Sequence, residues 1–423
     1  MTTAQHKNYT LPIIMMYLLF VMISFVTGLA SPIGMILKEQ FGASNSAATL
    51  GNAANFIAYA FMGIPAGLLL QKKGYKKTAL IAIGVGFAGV LIQYFSGLLK
   101  SFPVYVGGAF VAGFSMCLLN TVVNPMLNTL GGGKKRGNQL LQFGGSLSSL
   151  TATITPVLVG YLIGNAVKPT IEDANPALYI AMGVFTVVFI VFTLVNIPEP
   201  DYETAEKTVS TEKDRHSAFS FRHFVLGIIG VFIYVGVEVG VPMFIIYYLK
   251  EGLGKDPAIA GSVAGTYWFL MLVGRLLGGT VGGKVSSKTM LSVASSLGLL
   301  FILIAIFSET AQIKIPAVTS ELVFSMVDVP VGVLFLVLCG LCTSVMWGGI
   351  FNLAVEGLGK YIKMASGIFM VMVCGGGILP WIQGLVADSA GYISSYWVIF
   401  LGFAYLLFYA LIGSKNVNKN ISM

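Results

Sequence analysis

Charge is what this chain has least of. Only 10% of its 423 residues are Asp, Glu, Lys or Arg, well under the roughly 25% of an ordinary soluble domain. With 56% hydrophobic residues and a mean hydropathy of +0.85, the chain cannot cover a water-facing surface, which excludes a string of soluble domains and implies a polytopic membrane protein. Histidine is scarcer still: His6, His216 and His223 are the only three, and all fall in the tail or the central polar loop. No apolar run therefore carries an imidazole for metal binding or general-base work, which argues against an integral-membrane enzyme. The four cysteines, Cys117, Cys339, Cys342 and Cys374, all sit in apolar runs. Cys339 and Cys342 have redox spacing, but a thiolate there would be poorly solvated, so they read as small buried hydrophobes.

What remains is a series of long apolar runs. They cover Leu11 to Leu37, Ala47 to Leu70, Thr78 to Leu99, Pro103 to Leu130, Gln139 to Ile163 and Ala177 to Ile197. After the polar stretch PEPDYETAEKTVSTEKDRH, which can neither span nor pack a core, six more follow. These are Phe224 to Leu249, Ala258 to Val281, Thr289 to Phe307, Val331 to Glu356, Ala365 to Val386 and Tyr392 to Ile412. A crossing takes about 20 residues, so the pattern predicts an all-α membrane protein of twelve transmembrane helices. It divides into two six-helix halves, 1–197 and 224–423, joined by a linker at 198–223. The first run is too long for a signal-peptide core and is read as a retained span.

The surplus of 25 basic over 17 acidic residues is a topology signal. Lys and Arg cluster on alternate connections, as at Lys72, Lys73, Lys76, Lys77, Lys134, Lys135 and Arg136. By the positive-inside rule both termini are cytoplasmic, and the basic balance calls for no nucleic-acid partner. The predicted location is the cytoplasmic (inner) membrane, with the lipid bilayer as the surrounding partner.

Within the fourth run, Val111 to Leu130, two amides four residues apart share one helix face at membrane depth. Hydrocarbon cannot satisfy Asn120 or Asn124, so that face must meet protein or a polar cavity. Helix-to-helix amide contacts and a solute site both remain open.

The connection GLLLQKKGYKK, Gly67 to Lys77, resembles the loop signature of the major facilitator superfamily, with Gln71 where that pattern usually has aspartate. GRLLGGTVGGKVSSK, Gly274 to Lys288, is a weaker echo in the second half, and such duplication accompanies a substrate site near the midplane between halves. NTVVNP from Asn120, with LNTLGGGKKRGNQLLQF after it, is similar to helices four and five of the fucose, galactose and glucose symporter branch. Tyr234 to Glu238 (YVGVE) and Gly349 to Asp388 resemble its motifs on helices seven, ten and eleven. The resemblance implies uptake of a monosaccharide by alternating access, usually with a cation, by a carrier working as a monomer. It transfers sugar uptake better than proton coupling. Asn120 stands where family proton symporters carry an acid, the first span contains no Asp or Glu, and the helix-five Gln-x-x-Asn pattern is poorly matched, with Gln142 displaced by one residue.

Only Glu238 among the acids lies deep in a span. An intramembrane carboxylate is costly and functional by default, and three roles stay open for it: carrying a proton or sodium ion, gripping sugar, or pairing structurally. A sugar needs hydrogen-bonding forks and an aromatic plate, and the candidates are Asn55, Tyr59, Asn120, Asn124, Gln142, Tyr234, Glu238, Trp268, Trp347 and Asn352. For any single aromatic, core packing or an interface belt is the competing reading. Arg275 is expected in a structural ion pair near the cytoplasmic side, and Glu356, beside Lys360, in a gate or packing salt bridge. Gly375, Gly376 and Gly377 with Pro380 interrupt the eleventh span, either as a pivot or for close helix contact. No cofactor is called for beyond a possible coupling proton or sodium ion. A non-transporting sensor would need a large soluble domain of which this sequence shows no sign.

Overall fold

The computed structural model describes residues 9–131, 134–163, 170–199, 217–281, 285–308, 310–319, 321–358 and 361–417. Most of the linker, 200–216, and Lys168, Lys284 and Lys360 lie outside the described residues. Fourteen α-helices follow one another among the described residues. The first six are α1 (Thr10–Phe41), α2 (Asn45–Ala48), α3 (Leu50–Leu98), α4 (Phe102–Leu130), α5 (Lys134–Ile163) and α6 (Asn175–Leu194). Beyond the linker come α7 (Arg222–Tyr247), α8 (Pro257–Val281), α9 (Ser287–Phe307), α10 (Val331–Thr343), α11 (Met346–Val355), α12 (Ile362–Met372), α13 (Gly375–Ala390) and α14 (Tyr396–Phe408). Eleven helical stretches are long and apolar enough to cross a membrane. The face at which α1 begins is called here the near face, and the one at which it ends the far face.

One of those stretches is two spans. At about 1.5 Å per residue, the 49 residues of α3 would far exceed a hydrocarbon core of about 30 Å. The helix is broken at Gly74, whose φ of 77° and ψ of 176° suit only glycine. Divided there, α3 supplies the second and third expected spans. The Glu199 carboxylate holds the break: it accepts from Tyr75 N at 2.7 Å and Lys76 N at 3.0 Å, taking donors that a helix start leaves unpaired. A Cβ on Gly74 would lie 2.6 Å from Glu199 Oε2. The basic turn is thus shaped by an acid from beyond α6.

The tenth span is less regular than its sequence implies, since the helix stops at Thr343 and restarts at Met346. The eleventh breaks at Val373 and Cys374, just before the three glycines. Those glycines also pack tightly: a Cβ on Gly377 would come 2.7 Å from Ala53 O, and one on Gly376 2.7 Å from the Phe56 ring. The close-contact reading of that motif is therefore seen directly. A second glycine seam joins α5 to α8, where Gly261 and Gly265 lie against the carbonyls of Pro156 and Thr153. Small residues of this kind let backbones approach without a hydrophobic driving force between helices.

One element departs from an all-helical plan. Gln312–Val318 (β1) and Phe324–Pro330 (β2) form an antiparallel hairpin between α9 and α10, with Lys314 opposite Asp328. Alternating exposure along both strands gives it one half-buried face, and Val318 N donates to Ser262 Oγ of α8 at 2.8 Å.

Replacing Gly74 by Ala should destabilise the detergent-purified protein by about 1–3 kcal/mol, from the disfavoured backbone and the collision with Glu199. Glu199→Gln should cost less, because the amide oxygen can still accept. Thermal unfolding curves of the two variants measure the difference.

Candidate functional site

On α4 the residues around the amides are sealed, with Leu118, Leu119, Val122 and Val123 at 0% exposure, while Asn120 and Asn124 remain partly accessible. Asn120 Nδ2 donates to the Tyr59 hydroxyl of α3 at 3.0 Å and to Met116 O one turn back at 3.0 Å. Asn124 Nδ2 donates to Asn120 O at 3.0 Å. These bonds use the amide nitrogens, so the oxygens are the atoms that α4 offers to a hydroxyl donor. Tyr59 is itself stacked on Phe56, ring centroids 6.1 Å apart, which fixes the direction of its hydroxyl. Asn55, one turn before Tyr59, is buried beside the α3–α4 contact, where Gly113 closes on its backbone.

A second group gathers around Glu238. Arg275 of α8 extends Nη2 to Glu238 Oε1 at 3.4 Å, and Nη1 to Gly145 O at 2.6 Å and Ser149 Oγ at 2.9 Å on α5. One guanidinium thus ties three helices, α5, α7 and α8. Side chains on a helix tilt toward its N-terminus, and α8 starts at the far face. The Arg275 head is therefore carried away from the near face into the depth of Glu238. The expected ion pair is made with Glu238. Both side chains keep partial access, 19% and 15%.

Tyr234, one turn before Glu238, neighbours both the carboxylate and the guanidinium. Its ring lies 6.2 Å from that of Trp347 on α11, which joins the start of α11 to the Glu238 group. The break at Ser344 and Val345 is what lets Trp347 turn toward α7. Trp268 packs edge-on against Tyr267, centroids 5.3 Å apart, and the Tyr267 hydroxyl is paired with Thr343 Oγ1 at 2.9 Å.

Other predicted residues stand apart. Asn352 is exposed, and its Nδ2 lies 3.4 Å from Ser287 Oγ at the start of α9, toward the near face. Gln142 is exposed one turn before Ser146. Glu356 is exposed too, and its backbone carbonyl pairs with His223 Nε2 at 2.9 Å. The Lys360 side of the expected salt bridge lies outside the described residues. Sequence reasoning passed over Ser149 and Gly145, the α5 partners of Arg275, because a serine and a glycine among SLSSL and GG repeats carry no signal of their own. It also left unassigned the Asn52 Nδ2 bond to Gly376 O at 2.9 Å, which ties α3 to α13.

Chemically the ensemble offers amide oxygens, a phenol, an ion pair and an indole plate. That set suits a neutral, polyhydroxylated solute with an apolar ring face. Arg275→Ala should cost about 3–5 kcal/mol of stability, the penalty for leaving a buried charge without its partner. The double change Arg275→Ala with Glu238→Gln should recover most of it, and melting temperatures of the two variants in one detergent decide this.

The profile of the Major Facilitator Superfamily matches residues 13–379. A glucose/galactose transporter of Brucella abortus is 30% identical, covering 98% of this chain and 97% of the relative. A putative glucose/galactose transporter of Helicobacter pylori is 27% identical over 97% of this chain and 98% of its own. Among solved structures, the transporter FucP in the outward conformation superposes with a TM-score of 0.68 at 20% identity, over 96% of this chain and all of that one. A superfamily match over most of its length, carried by the same spans that form the site, makes this chain a member of the Major Facilitator Superfamily.

Proposed function

We propose that this protein imports a monosaccharide, a hexose such as glucose, galactose, fucose or mannose, across the cytoplasmic membrane. It works by alternating access between two six-helix halves, 1–197 and 224–423, joined by a cytoplasmic linker at 198–223, with both termini cytoplasmic and the monomer as the working unit. The observation that carries this reading is the partly accessible bridge of Arg275 to Glu238, Gly145 and Ser149. It supports a hydrogen-bonding fork where segments from before and after the linker meet, and the ring contact of buried Tyr234 with Trp347 supports Trp347 as the aromatic plate. The glucose/galactose transporters among the relatives support a sugar as the cargo.

In this reading Asn120, Asn124 and Tyr59 hold hydroxyls from one side, with Asn55 shaping the wall behind them. Tyr234, Glu238 and Trp347 hold the sugar from the other side, and Trp268 backs the plate. Gln142 and Asn352, nearer the near face, take part as the sugar leaves, and Glu356 belongs to the closure there. Glu238 is the coupling group: a proton or a sodium ion on its carboxylate would loosen the hold of Arg275 and link cation uptake to movement.

One observation favours a second reading, an uncoupled facilitator. Arg275 already answers the charge of Glu238, and the first span has no carboxylate, so neither group has to take up a cation for the bundle to be neutral.

Uptake of labelled hexoses into proteoliposomes under an imposed pH or sodium gradient should show accumulation above equilibrium. Glu238→Gln should abolish accumulation while sparing exchange if the carboxylate only couples, and should abolish both where it also grips the sugar. Equal rates with and without each gradient would establish the facilitator instead. Asn124→Ala should raise the apparent sugar constant about fivefold to twentyfold, the effect of leaving one hydroxyl without its acceptor; no change in that constant moves the site off α4.

A further inference from the structure

Charged contacts that no part of the sugar site requires join segments from before and after the linker at the far face. The first apolar run leads into Leu37-Lys38-Glu39-Gln40-Phe41-Gly42, and the first run after the linker leads into Leu249-Lys250-Glu251-Gly252-Leu253-Gly254. The two segments repeat L-K-E-x-x-G, and they repeat its geometry as well, since Gly42 and Gly254 both turn the chain with positive φ, 60° and 63°. In the folded protein the copies face each other and pair reciprocally. Lys38 is bonded to Glu251, and Lys250 Nζ lies 2.6 Å from Glu39 Oε1. Each copy offers a cation to the anion of the other, as in a self-complementary two-fold contact between subunits.

Further groups extend the contact. Lys38 Nζ also donates to Asn45 Oδ1 at 2.7 Å and to the Tyr392 hydroxyl at 2.9 Å, and Tyr392 donates to Glu251 at 2.6 Å. Beside it, Asp388 at the end of α13 accepts from Asn45 N at 2.6 Å, Ser46 N at 3.0 Å and Ser46 Oγ at 2.7 Å. The Lys38 bond to Tyr392 and the three bonds to Asp388 each join a residue before the linker to one after it.

We infer that the duplicated Lys-Glu pairs are a releasable clasp, and that opening the site to the far face requires both ion pairs and the Asp388 contact to part. The clasp suits repeated opening. Its side chains are 11–27% exposed, so water can take over their hydration as they separate, whereas a fully buried pair would face the whole desolvation cost. An apolar seal of equal area would expose hydrophobic surface to water on each cycle.

The inference rests on the alternating-access reading, but its labelling test needs no sugar, so a carrier of some other solute would leave that result intact. Ala48, 1% exposed, lies beneath the clasp. In a background with the four native cysteines changed to alanine, Ala48→Cys should react slowly with a membrane-impermeant maleimide added at the far face. Adding Lys38→Glu or Glu251→Lys alone should speed labelling about tenfold by shifting the population toward the far-open state. The double reversal Lys38→Glu with Glu251→Lys should restore slow labelling. Unchanged rates in the single variants, or fast labelling that persists in the double, would overturn the clasp. A disulfide from Ser46→Cys and Asp388→Cys should stop transport and release it on reduction. Transport unaffected by complete cross-linking would overturn the clasp as well.

Discussion

Hydrocarbon accepts no unpaired polar group, and the arrangement of this bundle follows from that constraint. Arg275 and Glu238 are the costliest side chains at membrane depth, and neither can be placed without the other. Pairing them requires α7 and α8 to turn specific faces together, and the remaining donors of Arg275 draw in Gly145 and Ser149 of α5. That one guanidinium therefore sets the rotation of three helices. The amides of α4 obey the same constraint in a milder form, by bonding back to their own helix and across to Tyr59.

The backbone supplies the rest of the design. Two spans beside the candidate site are interrupted, the tenth at Ser344 and Val345 and the eleventh at Val373 and Cys374, and α3 is divided into two spans at Gly74. An unbroken helix cannot change the direction of one end against the other, whereas these breaks leave carbonyls and donors to be answered elsewhere, as Glu199 answers Tyr75 and Lys76. Glycine seams at α5–α8 and α3–α13 keep the segments before and after the linker in close contact without locking side chains together. A bundle held by smooth glycine surfaces and a few ion pairs has contacts that can slide and contacts that can break. Alternating access needs both.

The parts legible in the sequence were those written in one dimension. Run length showed the spans, although α3 hid two of them in one helix, and the depth of Glu238 marked it before any partner was known. The hairpin at Gln312–Val318 and Phe324–Pro330 was passed over because its half-buried alternation is short and lies between long apolar runs. The clasp had a sequence signal in the repeated L-K-E-x-x-G, but charges at span ends are ordinary enough to pass as topology markers. Arg275 was assigned to an ion pair without its partners, because residue number locates the Cα and not a guanidinium that reaches back along its helix.

By itself the sequence determined that this is a membrane bundle, how its spans are ordered, and which few polar side chains must be buried. Those properties depend on the length and composition of contiguous runs. Only the tertiary structure decided that Arg275 reaches Glu238 and α5, that Trp347 stands against Tyr234 while Asn352 does not, and that the two Lys-Glu pairs meet. These depend on helix rotation, tilt and breakage, which packing sets between residues distant in the chain and which no local pattern encodes.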